Sequence, residues 1–428
     1  MDNSRYGPNY PLLNNLAFYA LLGSGAFIIL LNSPNVLGGY IKWTLRTLIF
    51  IFPWLMLCLA FSWQTIIDKN YRVEILCLAA IIMLGIINTA LSDSFAKSFP
   101  KMQTFLLTGI FALWVSMFLF TDGRRRRIFD WFCCGCLVIV VVVELLVWSL
   151  RGANGSQVFE VFIRHPIPLG TLIILLSSGP VRLLTSKDYK TKFMAGFLAL
   201  LTGILIFYTH KRGTWLALAV IMAGGIIFLA HRKKFLMISL LVLLALAITL
   251  KTTRMVARLN PQIPHYASVL QRLELYPFAL HVWKCHPLMG IGLRPFTHQK
   301  YLEDYQQHNK NLQNFPESVA KLQTFDNMLL TGFVELGTVM TLFYMALVII
   351  IIVRYSRTLR SSLNARAIDW YRLLILLGFA VHSMTYDSLL FPQLNWLFHV
   401  QLGLMAGYSA SERAYSPDGW PQRLPESL

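Results

Sequence analysis

Residues 327–353 read NMLLTGFVELGTVMTLFYMALVIIIIV, a run whose only charged side chain is Glu335. A helix needs about 20 predominantly apolar residues to cross a bilayer core, and this run is long enough to do so. Comparable runs recur along the chain, which is 56% hydrophobic and 14% charged over 428 residues. In lipid every backbone N–H and C=O must be satisfied within the spanning segment, so runs of this length read as helices. The expected fold is an all-α polytopic membrane protein with about twelve transmembrane helices. They are expected at 15–32, 43–62, 73–91, 102–121, 129–150, 168–184, 193–208, 214–230, 235–250, 327–353, 371–390 and 394–409.

The connectors set an orientation. Arg124-Arg125-Arg126-Arg127, Arg182 with Lys187, Lys190 and Lys192, Arg232-Lys233-Lys234, and Arg354, Arg357, Arg360, Arg366 and Arg372 follow spans four, six, eight and ten. They fall on one side together with both termini, and the positive-inside rule makes that side the cytoplasm. The chain then divides into spans one to nine (1–250), a periplasmic loop (251–326), spans ten to twelve (327–410) and a cytoplasmic tail (411–428). A polar start runs straight into an apolar segment, so an uncleaved N-terminus is expected. The formal charge of +18 sits in connectors rather than along one face, which suits membrane lipid headgroups and argues against nucleic acid. Five of the six cysteines lie in or at apolar runs and only Cys285 is in the polar loop, so no exported disulfide pair is expected. Cys134 and Cys136 read as small helix residues rather than metal ligands.

Lys251–Phe325, closed by Asp326-Asn327, is the only long polar stretch, and loops of that length are usually functional. Within it Val269, Leu273, Tyr276, Leu280 and Trp283 recur at helical spacing, with a kink expected at Pro277. Cys285-His286-Pro287 ends that helix and Gly290-Ile291-Gly292 makes a turn. Thr297 to Gln323 is weakly patterned and reads as short helices or loop.

Several residues admit two readings. Lys211 and Arg212, in Thr209–Trp215 on the outer face, run against the charge bias. Arg212 either grips phosphate through paired guanidinium hydrogen bonds or both cations snorkel to headgroups. Arg272 is a second phosphate clamp or a neighbour of Glu274 on a solvated face. Asp326 is a helix N-cap or a carboxylate that takes a proton from a sugar hydroxyl. Asp387 is a rival acid; His298, His308 and His382 are rival bases or plain polar residues. Glu144 is an intramembrane acid that pairs with a cation or faces a cavity. There is no GxxxxGK(S/T), HExxH or GxSxG motif, so the leaving-group potential must come from the substrate itself.

Three elements resemble a known family. Lys211-Arg212-Gly213-Thr214-Trp215-Leu216-Ala217-Leu218 is similar to the SRGAWLAL-like signature of the bacterial O-antigen ligase and O-antigen polymerase family. Arg272 to Gly292 resembles its RxxxYxxAxxxxxxxPxxGxG element. Asp326 to Gly337 follows its HNxxLxxxxExG pattern at every fixed position but the first. The resemblance covers roughly 160–410 and implies a GT-C-like helical glycosyltransferase of the inner membrane whose site faces the periplasm. The donor would be a glycan on undecaprenyl diphosphate and the acceptor a sugar hydroxyl of lipid A core, with no metal and no cofactor. Arg212 and Arg272 match residues thought to hold the diphosphate. Asp326 stands where the family has the His thought to activate the acceptor. Lys211, Asn327, His308 and Asp387 are further candidate substrate-binding residues. An Asp is a weaker base than His unless desolvation raises its pKa. Two alternatives stay open: polymerisation of lipid-linked repeat units, and a flippase, which would need polar residues along a path through the spans.

Overall fold

The computed structural model describes residues 11–31, 39–60, 71–151, 166–186, 188–208, 212–228, 267–293, 298–308, 325–362, 367–384 and 386–415. Every regular element among them is helical. In chain order they are α1 (Pro11–Ala26), α2 (Gly39–Ala60), α3 (Arg72–Ala90), α4 (Phe95–Phe105), α5 (Phe111–Leu119), α6 (Gly123–Arg151), α7 (Pro166–Leu176), α8 (Ser178–Leu184), α9 (Tyr189–Tyr208) and α10 (Arg212–Phe228). The polar segment contributes α11 (Ala267–Cys285) and α12 (His298–His308), and the chain closes with α13 (Met328–Thr331), α14 (Gly337–Ser361), α15 (Ala367–Ser383) and α16 (Pro392–Tyr415). The π-helical turns Leu106–Ile110 and Gly332–Leu336 join α4 to α5 and α13 to α14.

Among the described residues, seven helical segments are long and apolar enough to cross a membrane: Pro11–Leu30, Arg72–Ala90, Phe95–Leu119, Gly123–Val147, Ile167–Leu184, Tyr189–Ile206 and Met328–Ser361. Thr47–Ala60 and Gly213–Gly225 are shorter apolar helical stretches. Eleven of the expected spans therefore overlie helices; the expected span 235–250 lies outside the described residues. Outer faces are apolar, as lipid contact requires. On α9, Phe193, Phe197, Leu200 and Ile204 are all exposed at helical spacing, and so are Val138, Val142 and Leu146 on α6.

The core is built around α16, whose residues from Leu394 to Ala410 are buried almost without exception. Gly403 and Gly407, one turn apart, let it approach α5 closely: a Cβ at Gly403 would lie 2.4 Å from Ser116 Cβ, and one at Gly407 2.7 Å from the Met117 carbonyl. Asn395 supplies the polar fastening, its Nδ2 donating to the Phe105 carbonyl at 3.0 Å and to Thr108 Oγ1 at 2.8 Å. That carbonyl belongs to the residue preceding the π turn, where the regular helical ladder is interrupted.

The basic residues gather at one end of the bundle, but not all as free connector charge. Arg372 is 2% exposed and donates to Asp369 Oδ1 at 2.7 Å and to Asp130 Oδ1. Arg182 reaches the other Asp130 oxygen at 3.5 Å, and Arg354 pairs with Glu74. The expectation of Arg372 as a connector residue is thus corrected: α15 begins at Ala367 rather than 371, which carries Arg372 into the bundle. A buried arginine needs such carboxylate partners, because an unpaired charge there is costly.

Candidate functional site

At the opposite end four chain segments meet. The first is the start of α13. Asn327, extended at φ −152° and ψ 112°, accepts hydrogen bonds at Oδ1 from the backbone N–H of Leu329 and Leu330, both at 3.1 Å. These are bonds of the kind that define an N-cap. Asp326 therefore does not cap this helix. It is half-buried and takes a left-handed backbone, the only non-glycine residue with positive φ (51°) among the described residues. Residues in this region cluster at active sites, and Asp tolerates the conformation better than most.

The second segment is the connection from α15 to α16. Asn327 Nδ2 donates to the Met384 carbonyl at 3.3 Å, and Thr331 Oγ1 donates to Asp387 Oδ1 at 2.9 Å. Asp387 is 1% exposed, so the rival acid lies beneath the site with one oxygen held by Thr331. Its neighbour Ser388 lies 3.0 Å from His382 Nδ1, and His382 meets Thr171 of α7 at 3.1 Å. Beside Thr171, Gly170 lies against Thr214: a Cβ there would sit 2.5 Å from the threonine methyl. Thr214 is two residues after Arg212, which opens α10. Hydrogen bonds thus tie Asn327 to Met384, Thr331 to Asp387, and His382 to Ser388 and Thr171, beside the point where α7 packs on Thr214 near the start of α10.

The third segment is the packing of α7 on α10 at Gly170 and Thr214, and the fourth explains the glycine spacing in 287–292 and 332–337. The π turn Gly332–Leu336 leaves carbonyls free of a helical partner. The Val334 carbonyl accepts from Ile291 N–H at 3.1 Å and the Glu335 carbonyl from Gly292 N–H at 3.0 Å. Asn88 of α3 donates to the same Glu335 carbonyl at 2.9 Å and to that of Met289. Gly290, Gly292 and Gly337 have φ of 68°, 96° and 80°, and a Cβ at Gly337 would come 2.3 Å from the Leu288 carbonyl. Glu335 itself is fully buried.

These bonds dock α11 beside α13. Leu275, Phe278, Ala279 and Val282 of α11 form a small core with Ile291, Tyr301, Tyr305, Phe325 and Val334. The rings of Phe278 and Phe325 lie 6.2 Å apart, immediately before Asp326. Arg272 is on the same helix, six residues before Phe278, or about 9 Å along the axis. Helix α12 completes this layer. Tyr301 Oη donates to Asp93 Oδ2 at 2.5 Å and lies 3.0 Å from His286 Nε2. Burial and the Asp93 carboxylate push the Tyr301 phenol well above its ordinary value.

Asp326 and Asn327 open α13 and Asp387 is bonded to its Thr331, while Arg212 opens α10 and Arg272 lies on α11; the side chains of both arginines lie outside what is described. So does that of His308, the last residue of α12, and Lys211 lies outside the described residues altogether. Glu144 is buried within α6. Thr331, Thr171 and Asn88 were not singled out in the sequence. Their signal was present, since polar side chains in or beside apolar runs need a partner.

The helical fold and its apolar spans define a polytopic helical membrane protein. Residues 197–345, from α9 into α14, match a family model described as O-antigen ligase, a match that supports a relationship to the O-antigen ligase and polymerase family over that part of the chain. No curated protein matches it.

Proposed function

We propose that this chain transfers an O-antigen glycan from undecaprenyl diphosphate to a sugar hydroxyl of lipid A core. It would work in the bacterial inner membrane, with twelve crossings and 251–326 on the periplasmic side. The observation that carries the reading is Asp326: it precedes the capping Asn327 and is held in a left-handed backbone at the entry to α13.

Asp326 accepts the acceptor hydroxyl's proton as its oxygen attacks the anomeric carbon. The bond from that carbon to the diphosphate oxygen breaks, and the lipid diphosphate leaves with the electron pair. Arg212 and Arg272 neutralise that developing charge, a stabilisation that is greatest where donors are preorganised. The N-terminus of the 17-residue α10 adds a positive helix-dipole end at Arg212. Asn327 sets the direction of α13 and Thr331 holds Asp387, so both act by positioning.

The test is transfer by the purified chain in lipid nanodiscs, with undecaprenyl diphosphate-linked glycan as donor and lipid A core as acceptor. Arg272→Ala and Asp326→Ala should each abolish product at normal protein levels. Undiminished transfer by either variant would remove that residue from the mechanism.

A further inference from the structure

Outside the proposed catalytic centre, the α11–α12 layer presents a cluster of a different chemistry. His281 and Cys285 are one turn apart on α11 and so share a helix face. Asp304 approaches them from α12, its Oδ2 lying 2.9 Å from His281 Nε2. The ligand atoms of His281, Cys285 and Asp304 all lie within 4.8 Å of one another, the only such trio of metal-ligating side chains among the described residues. Cys285 is exposed and His281 and Asp304 are partly so, which leaves the cluster open to ions from solution.

We infer that His281, Cys285 and Asp304 bind a zinc ion that clamps α12 onto α11. Tetrahedral Zn(II) takes nitrogen at about 2.0–2.1 Å, sulfur at about 2.3 Å and carboxylate oxygen at about 2.0–2.2 Å, which sets ligand atoms roughly 3.4–3.6 Å apart. The cluster reaches that spacing by small side-chain rotations: the His281–Asp304 contact opens by about half an ångström and Cys285 closes in. A mixed nitrogen, sulfur and carboxylate set favours zinc over magnesium or calcium, which prefer oxygen alone. A fourth position stays open to water. Metal binding releases the thiol proton to solvent, so occupancy rises with pH. The role is a brace: α12 otherwise meets α11 through Tyr301, Tyr305 and their ring contacts, and α11 carries Arg272.

The full chain, purified in detergent, reduced and stripped with chelator, is titrated with Co(II). Thiolate-to-cobalt absorption in the near ultraviolet should saturate at about one equivalent per chain and vanish on adding Zn(II). Cys285→Ser should lose that band. His281→Ala and Asp304→Asn should weaken binding by more than the roughly 10–100-fold that loss of an outer-shell partner costs. No such band, or a band unchanged in Cys285→Ser, overturns the site. Maleimide labelling of Cys285 in the unmutated chain serves independently of variant folding: Zn(II) should slow it, and equal rates with and without Zn(II) contradict the assignment. Neither readout depends on glycan transfer.

Discussion

Replacing Asp326 by Gly, beside Asn327→Ala, separates chemistry from helix capping. At φ 51° a non-glycine residue forgoes about 1 kcal/mol relative to glycine, and Asp somewhat less because it tolerates this region. Glycine gives back about 0.5–1 kcal/mol in chain entropy. The backbone terms of Asp326→Gly therefore cancel to within about 1 kcal/mol. Asn327→Ala loses the cap on Leu329 and Leu330, about 1 kcal/mol, and the bond to the Met384 carbonyl, about 0.5–1.5 kcal/mol. Activity should order the other way. Loss of a general base lowers rate by about 100- to 10,000-fold, so Asp326→Gly should be nearly inactive though folded. Thermal unfolding in detergent read beside transfer rate per folded molecule decides it. If Asp326→Gly unfolds more readily than Asn327→Ala and keeps activity in proportion to its folded fraction, Asp326 is structural and the reasoning fails.

Further outcomes follow from other contacts. Gly292→Ala should sharply reduce the folded yield seen by fluorescence size exclusion, because its Cβ would lie 2.2 Å from Ser92 Cβ at a φ of 96°. Arg372→Ala leaves Asp130 and Asp369 buried without their main partner and should cost about 3–5 kcal/mol, read as a lowered Tm. Tyr301→Phe keeps the buried ring but deletes the bond to the exposed Asp93, about 0.5–1.5 kcal/mol. Because the folded state holds the Tyr301 phenol neutral, its contribution is complete at neutral pH and falls as pH rises above about 10. The unmutated chain should accordingly lose stability in that range more steeply than Tyr301→Phe.

The helices were legible because lipid leaves an apolar run of that length no other way to satisfy its backbone. The Gly290-Ile291-Gly292 turn was legible too, since glycine spacing marks positive φ. The π turn at Gly332–Leu336 was not, because it exists to present carbonyls to a segment more than forty residues away in the chain. The capping residue was misassignable by one position, as Asp and Asn are equally good caps and only the backbone angles separate them. The pairings Thr331 with Asp387 and Thr171 with His382 join residues 56 and 211 positions apart, a separation no local pattern encodes. Arg372 looked like connector charge because its partner Asp130 lies on a distant helix.

The most direct measurement is a gel of surface lipopolysaccharide, with extraction of undecaprenyl-linked glycan, from a host lacking this chain and the same host carrying it. Ligation predicts bare lipid A core and full-length polymer stranded on undecaprenyl, both reversed by the unmutated chain and not by Asp326→Asn. Core bearing a single repeat would contradict ligation and establish polymerisation, and an unchanged pattern would remove the chain from this pathway.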